Sequence, residues 1–132
     1  MKLSAAHMEG FDKSAQDGYI ATLSADLRKT CRRYLRGVPD HLLHARVAYG
    51  ISRAKQYGFA RGYAMAAFIS LMIQVAPHFD EYPDVRRALR DFDRTADKRM
   101  RRLLRNHTDR DWNTVRRQCD PDWPEDLQEH SR

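Results

Sequence analysis

The stretch YAMAAFISLMIQVA, residues 63–76, decides the fold, because it is the longest apolar run in the chain and only Ser70 and Gln74 interrupt it. It is too short to cross a bilayer, for which a helix needs about 20 residues. A helix that is apolar on nearly every side belongs at the centre of a bundle. The stretch therefore predicts a buried central helix over residues 61–76, which Pro77 terminates.

The residues before this stretch predict two amphipathic helices that can surround it. Residues 5–35 contain no proline, Ser4 is placed to cap them, and Gly37-Val38-Pro39 ends the helix. Asp40 is placed to cap a second helix, which ends at Gly58. The apolar positions recur every three or four residues: Phe11, Ala15, Tyr19, Leu23, Leu27 and Cys31 in the first helix, and Leu43, Val47, Ile51 and Ala54 in the second.

The residues after the central stretch predict a loop and two or three shorter helices. Residues 77–83 form the loop, and Pro83 suits the first turn of a helix that continues through Phe92 to residue 104. A break near Asp93 is an open alternative, since Asp93-Arg94-Thr95 offers a new cap. Thr108 or Asp109 can cap a last helix, which cannot continue past the prolines at 121 and 124.

The fold class expected from these patterns is all-α, a single-domain bundle of about five to six helices with a long N-terminal helix and a central apolar helix. No strand-like alternation of apolar and polar residues occurs. With 132 residues, 42% hydrophobic and 32% charged, the composition is that of one globular domain, which we place at residues 1–118. Residues 119–132 are expected to be an acidic, flexible tail.

The net charge of +6 is unevenly distributed along the chain. Residues 86–117 hold 12 basic and 5 acidic residues, whereas residues 118–132 hold 1 basic and 5 acidic residues. Such an imbalance suggests a basic surface on one part of the fold and an acidic tail that folds back on it or competes for its partner. A solvated helix face with a frayed tail is the plainer alternative.

No residue pattern fixes a catalytic, metal or cofactor site. His41 and His44 share a helix face, but no HExxH or CxxC spacing supplies further ligands. GxSxG, GxxxxGK[ST] and GxGxxG motifs are absent. The acidic cluster Asp80-Glu81-x-x-Asp84 is more typical of a helix N-terminus than of acid–base catalysis. We therefore expect a protein that is not an enzyme and binds no metal or cofactor.

The N-terminus and the cysteines indicate the compartment. No apolar run of signal-peptide length follows Met1, so we expect a cytoplasmic protein with no membrane partner. Cys31 and Cys119 are then expected to be two reduced thiols.

Two kinds of partner suit the basic region. Its many arginines could neutralise phosphates, so a nucleic-acid-binding regulator that uses residues 86–117 is the alternative function. The second and third helices resemble a helix-turn-helix, but residues 62–72 of the third offer no Arg, Asn or Gln to base edges. Arginine with tyrosine and tryptophan is the composition enriched at protein interfaces, which favours a protein partner with an acidic surface. The candidate partner-binding residues are Arg53, Tyr57, Arg61, Arg101, Arg105 and Trp112, with the alternative that Tyr57 packs under the turn at residues 58–60.

One sequence motif resembles that of a known protein family. The run Val47-Ala48-Tyr49-Gly50-Ile51-Ser52-Arg53-Ala54-Lys55-Gln56-Tyr57-Gly58-Phe59 is followed by an apolar helix and by His78-Phe79-Asp80-Glu81-Tyr82-Pro83. This pattern resembles small helical proteins encoded beside toxic effectors in bacterial type VI secretion clusters, over about residues 8–105. The resemblance implies an adaptor or chaperone-like accessory protein, which holds an effector or links it to the secreted spike. The basic region and the tail are not part of the shared pattern.

Overall fold

The computed structural model describes the backbone of residues 5–129 and the side chains of residues 13–129. Ser4, expected as a cap, and the side chain of Phe11 lie outside these ranges. Six helices form the described part, which has no strand: α1 Ala5–Thr30, α2 Asp40–Lys55, α3 Tyr63–Gln74, α4 Pro83–Leu89, α5 Ala96–Asn106 and α6 Asp109–Gln118. Two 3-10 turns, Phe79–Glu81 and Glu125–Leu127, complete it. The all-α, single-domain prediction is confirmed.

The central helix α3 is buried, as its composition predicts. Its buried side chains are Ala64, Met65, Phe68, Ile69, Leu71 and Met72. It packs against α2 on one side and α5 on another, while α1 packs on α2, and α4 packs on α5. The helix begins two residues later than expected and ends at Gln74. Among the described helices, none is long and apolar enough to span a membrane.

Gly50 allows α2 and α3 to lie close together. A Cβ atom at this position would lie 2.8 Å from Ile69 Cγ1 and 3.1 Å from Met72 Sδ on α3. Both distances are shorter than an ordinary van der Waals contact between these atoms. The glycine of the Tyr-Gly-Ile motif is therefore required by helix packing.

The end of α1 and the start of α2 differ from the prediction. The first helix ends at Thr30 and continues as turns, in which Arg28 Nη1 donates to the carbonyl of Leu35 over 3.0 Å. Pro39, not Asp40, is the N-cap of α2. Asp40 lies in the first turn, where its carboxylate accepts from Arg28 Nη2 at 2.7 Å. Ala15, assigned to the apolar stripe, is exposed.

Local capping explains the break between α4 and α5, which confirms the alternative of an interrupted helix. Thr95 is the N-cap of α5, and its hydroxyl accepts from the backbone N–H of Lys98. Thr108 caps α6 through a capping box with Asp111. Because the helix stops at Leu89, Phe92 leaves the apolar stripe assigned to it and is 63% exposed.

The described part of the acidic tail lies on the bundle. We call residues 119–129 the acidic strap. Its 3-10 turn packs on α2, and Leu127 is buried there. Arg46 of α2 lies over the ring of Trp123, with 4.9 Å from its Cζ to the ring centroid, and its Nε donates to the carbonyl of Leu127 over 2.9 Å. These apolar and carbonyl contacts attach the strap to α2.

Candidate binding surface

The two halves of the sequence motif meet in a buried polar cluster. Arg53 Nη2 donates to both carboxylate oxygens of Asp80, at 2.7 and 2.6 Å, and the Tyr57 hydroxyl donates to Asp80 Oδ2 at 2.6 Å. Asp80 is 2% exposed, and Tyr57 is buried. Burial and the hydrogen bond with Asp80 raise the pKa of Tyr57 to about 12. The contacts connect α2 to the 3-10 turn at residues 79–81.

The cluster continues towards the surface through Tyr49 and His78. The Tyr49 hydroxyl and His78 Nε2 share a hydrogen bond of 2.6 Å, and His78 Nδ1 lies 3.6 Å from Glu81 Oε2. Burial opposes the charge of Arg53, but its hydrogen bonds and attraction to Asp80 raise the pKa of the guanidinium above its ordinary value. These residues bind one another, so their spacing in the chain serves the fold.

Three expected partner-binding residues are used inside the molecule. Arg53 and Tyr57 both bind Asp80, which lies in the first turn of the 3-10 helix at residues 79–81. Trp112 is buried: its ring stacks on His107 at a centroid distance of 4.8 Å and meets Phe79 edge-on at 6.2 Å. Aromatic rings and the guanidinium group form strong contacts inside a folded chain as well as at an interface.

The other three expected residues are exposed. Arg61 lies in the turn before α3, where its guanidinium is 5.1 Å from the ring centroid of Tyr19. Arg101 lies over Tyr63 at the same distance, and Tyr63 is 43% exposed. Arg105 follows Arg101 by one helical turn on the outer side of α5. These residues remain available to a partner.

Helix α5 carries a continuous row of cations on its outer side. Residues at spacings of three, four and seven share one side of a helix. The row consists of Lys98, Arg101, Arg102 and Arg105, all exposed, and we call it the basic face of α5. Met100 and Leu103 point the opposite way, into the core. Among the described side chains, no ion pair involves these four cations.

Other arginines of residues 86–117 have internal partners. Arg99 is buried, and its Nη1 donates to the carbonyls of Tyr57 and Leu89 at 2.8 and 2.6 Å. Arg116 Nη2 donates to the carbonyl of Gln74, the last residue of α3, at 2.8 Å. Both side chains bind carbonyls that a helix end leaves without an amide donor. The surface available to a partner is therefore smaller than the count of arginines suggests.

Sequence reasoning missed Lys98, Arg102 and the flanking aromatic rings. The spacing of Lys98 and Arg102 relative to Arg101 and Arg105 was sufficient to place them in one row. Phe92 was assigned to a continuous apolar stripe, and its exposure follows from the break after α4. Its ring lies 5.1 Å from the Arg99 guanidinium, which lies 5.0 Å from buried Phe59 on another side.

The described residues contain no group of three or more His, Cys, Asp and Glu side chains that could hold a metal ion. Cys31 and Cys119 are free thiols, as predicted. Burial, with the nearby charges of Glu81 and Asp80, raises the pKa of the Cys119 thiol. A raised pKa leaves less of the nucleophilic thiolate at neutral pH.

No protein-family model matches the chain, and no curated protein sequence or solved structure matches it. Its function is therefore inferred from the geometry and charge of its own side chains. The basic face of α5, with Tyr63 beside it, is the candidate binding surface.

Proposed function

We propose that this chain is a non-enzymatic accessory protein of the cytoplasm that binds an acidic surface of a partner protein. The observation that carries the proposal is the row of four exposed cations on α5 without an ion-pair partner among the described side chains. We propose a secreted effector or a spike component as that partner, because the Tyr49–Gly58 motif resembles type VI accessory proteins.

The charges on α5 support rapid and selective association. Five basic residues and one acidic residue lie within Ala96–Asn106. A surface of one sign steers an oppositely charged partner during diffusion and disfavours partners of like charge. Association through this face is expected to be fast at low salt and to weaken as the Debye length falls to about 8 Å at physiological ionic strength.

Arg101 is partly ordered before a partner arrives. Its guanidinium lies over the Tyr63 ring, which reduces the rotamers that binding would otherwise have to restrict. Arginine can also form two parallel hydrogen bonds with one carboxylate. Arg101 and Arg105 are therefore the residues whose charge should matter most to an acidic partner.

Co-purification with the products of adjacent genes tests this function. The tagged wild-type chain is expected to retain one of these proteins at low salt, and the double variant Arg101→Glu, Arg105→Glu is expected to lose it. The matched control is Arg110→Glu, Arg117→Glu, which makes the same change in net charge on the exposed side of α6. Retention by neither the wild type nor the control, even at low salt, would contradict the proposal.

Nucleic acid is the second candidate for the same face, because phosphates would also pair with its cations. A role for α3 in contacting bases in a groove lacks support, since six of its twelve residues are buried and only Tyr63 is exposed. A mobility shift over a salt series separates the two candidates. No retardation near about 50 mM salt removes nucleic acid, because nonspecific phosphate contacts are strong at that concentration.

A further inference from the structure

The acidic strap presents a charged outer surface. Residues 119–129 contain no basic residue and five acidic ones, Asp120, Asp122, Glu125, Asp126 and Glu129, all exposed. None of the five forms an ion pair with another described side chain. The contacts that hold the strap are made by other groups, chiefly the Trp123 ring, the Leu127 side chain and the Leu127 carbonyl. Asp120 Oδ1 accepts from the backbone N–H of Asp122 at 2.9 Å, and the charge of Glu129 acts on Arg46, but none of the five carboxylates is in an ion pair within the described part of the chain.

The strap and the basic face of α5 do not neutralise each other within one chain. The strap packs on α2, whereas α5 packs on α3 and α4. No ion pair connects the two surfaces among residues 13–129. Within residues 13–129, one molecule thus carries a row of four cations and a segment with five carboxylates on separate elements, with none of the nine charges in an ion pair.

We propose that the chain associates head to tail, with the basic face of α5 on one copy bound to the acidic strap of a second copy. The contact is heterologous, so each added copy leaves one basic face and one strap free. Such a contact forms rings when the rotation between copies closes, and open chains when it does not. The inference does not depend on the proposed function, although an acidic partner would compete for the same face.

Charge complementarity determines how the association responds to salt. The carboxylates and guanidinium groups are solvent-exposed, so their attraction extends over roughly 20 Å at about 20 mM salt and only a few ångströms at about 0.5 M salt. Individual exposed ion pairs contribute little, but four cations facing five carboxylates act together. Self-association should therefore appear at low salt and high protein concentration and disappear at high salt.

Sedimentation velocity on the nuclease-treated full chain tests the inference. At about 20 mM salt the wild type should sediment as species larger than the 15.5 kDa monomer, with a share that grows with concentration, and at about 0.5 M salt it should be monomeric. The variant Arg110→Glu, Arg117→Glu, altered on α6, should still associate. Circular dichroism checks that each variant is folded.

Two reversed variants provide the decisive comparison. The first carries Lys98→Glu, Arg101→Glu, Arg102→Glu and Arg105→Glu; the second carries Asp120→Lys, Asp122→Lys, Glu125→Lys and Asp126→Lys. Each alone should be monomeric at low salt, because its α5 face and its strap then have the same sign of charge. An equimolar mixture should associate, since each variant complements the other at both contacts. A monomeric wild type at low salt, association of either variant alone, or a monomeric mixture would overturn the inference.

Discussion

Replacing Asp80 with asparagine tests whether the buried polar cluster holds the fold together. The substitution keeps the shape of the side chain but removes its charge and turns one acceptor oxygen into an NH2 donor. That donor would face Arg53 Nη2, which lies 2.7 Å from Asp80 Oδ1 and 2.6 Å from Oδ2. The Tyr57 hydroxyl would compete with Arg53 for the remaining oxygen.

The magnitude follows from the burial of the pair. Removing one partner of a buried ion pair costs about 3–5 kcal/mol, because the other charge is left without compensation. Arg53 keeps a second carboxylate, Glu81, at 3.6 Å, and its side chain is 15% exposed. We therefore expect the lower end, about 3 kcal/mol, which for a domain of this size lowers the Tm by roughly 10 °C.

Thermal and urea unfolding measure this change. The matched control is Asp84→Asn, the same substitution four residues later, where the carboxylate is 64% exposed and 3.5 Å from Arg87. The control should change the free energy of unfolding by no more than about 0.5 kcal/mol. If Asp80→Asn were no more destabilising than Asp84→Asn, the cluster would not be the contact that attaches the 79–81 turn to α2.

Two further predictions concern the same region of α2. Gly50→Ala should lower the free energy of unfolding, measured in urea, by about 1–3 kcal/mol, because the added Cβ would lie 2.8 Å from Ile69 Cγ1. A value within about 0.5 kcal/mol of the wild type would mean that α2 and α3 separate easily. For Tyr57, whose pKa rises from 10.0 to about 12, the protonated form is favoured by folding, so its contribution is complete below pH 10 and is lost between pH 10 and 12. Unfolding measured across that window should show the advantage of the wild type over Tyr57→Phe shrinking, whereas parallel curves would contradict the assigned hydrogen bond.

The sequence predicted the parts of the fold that depend on local patterns. The apolar run at residues 63–76 identified α3, and the threonine at 95 indicated the break before α5, because capping involves residues only three positions apart. The Arg53–Asp80 pair could not be predicted in the same way. Its members are 27 positions apart, and only the packing of α2 against the 3-10 turn brings them together.

The candidate site was harder to predict because arginine suits both a surface and a helix end. Arg99 and Arg101 are two positions apart on α5, yet one is buried against carbonyls and the other is exposed over Tyr63. Their positions on the helix decide the difference: Arg99 lies four residues before the core residue Leu103, and Arg101 four before the exposed Arg105. A prediction based only on the charge of residues 86–117 does not distinguish Arg99 from Arg101.

This difference affects how substitutions on α5 are interpreted. Replacing Arg99 leaves the carbonyls of Tyr57 and Leu89 without their donor, so any loss of binding would come with a loss of stability. Replacing Arg101 removes a surface charge and a contact with Tyr63, which leaves the core intact. Only a loss of binding without a loss of stability therefore assigns a residue to the interface, and on α5 the four residues that can meet this condition are Lys98, Arg101, Arg102 and Arg105.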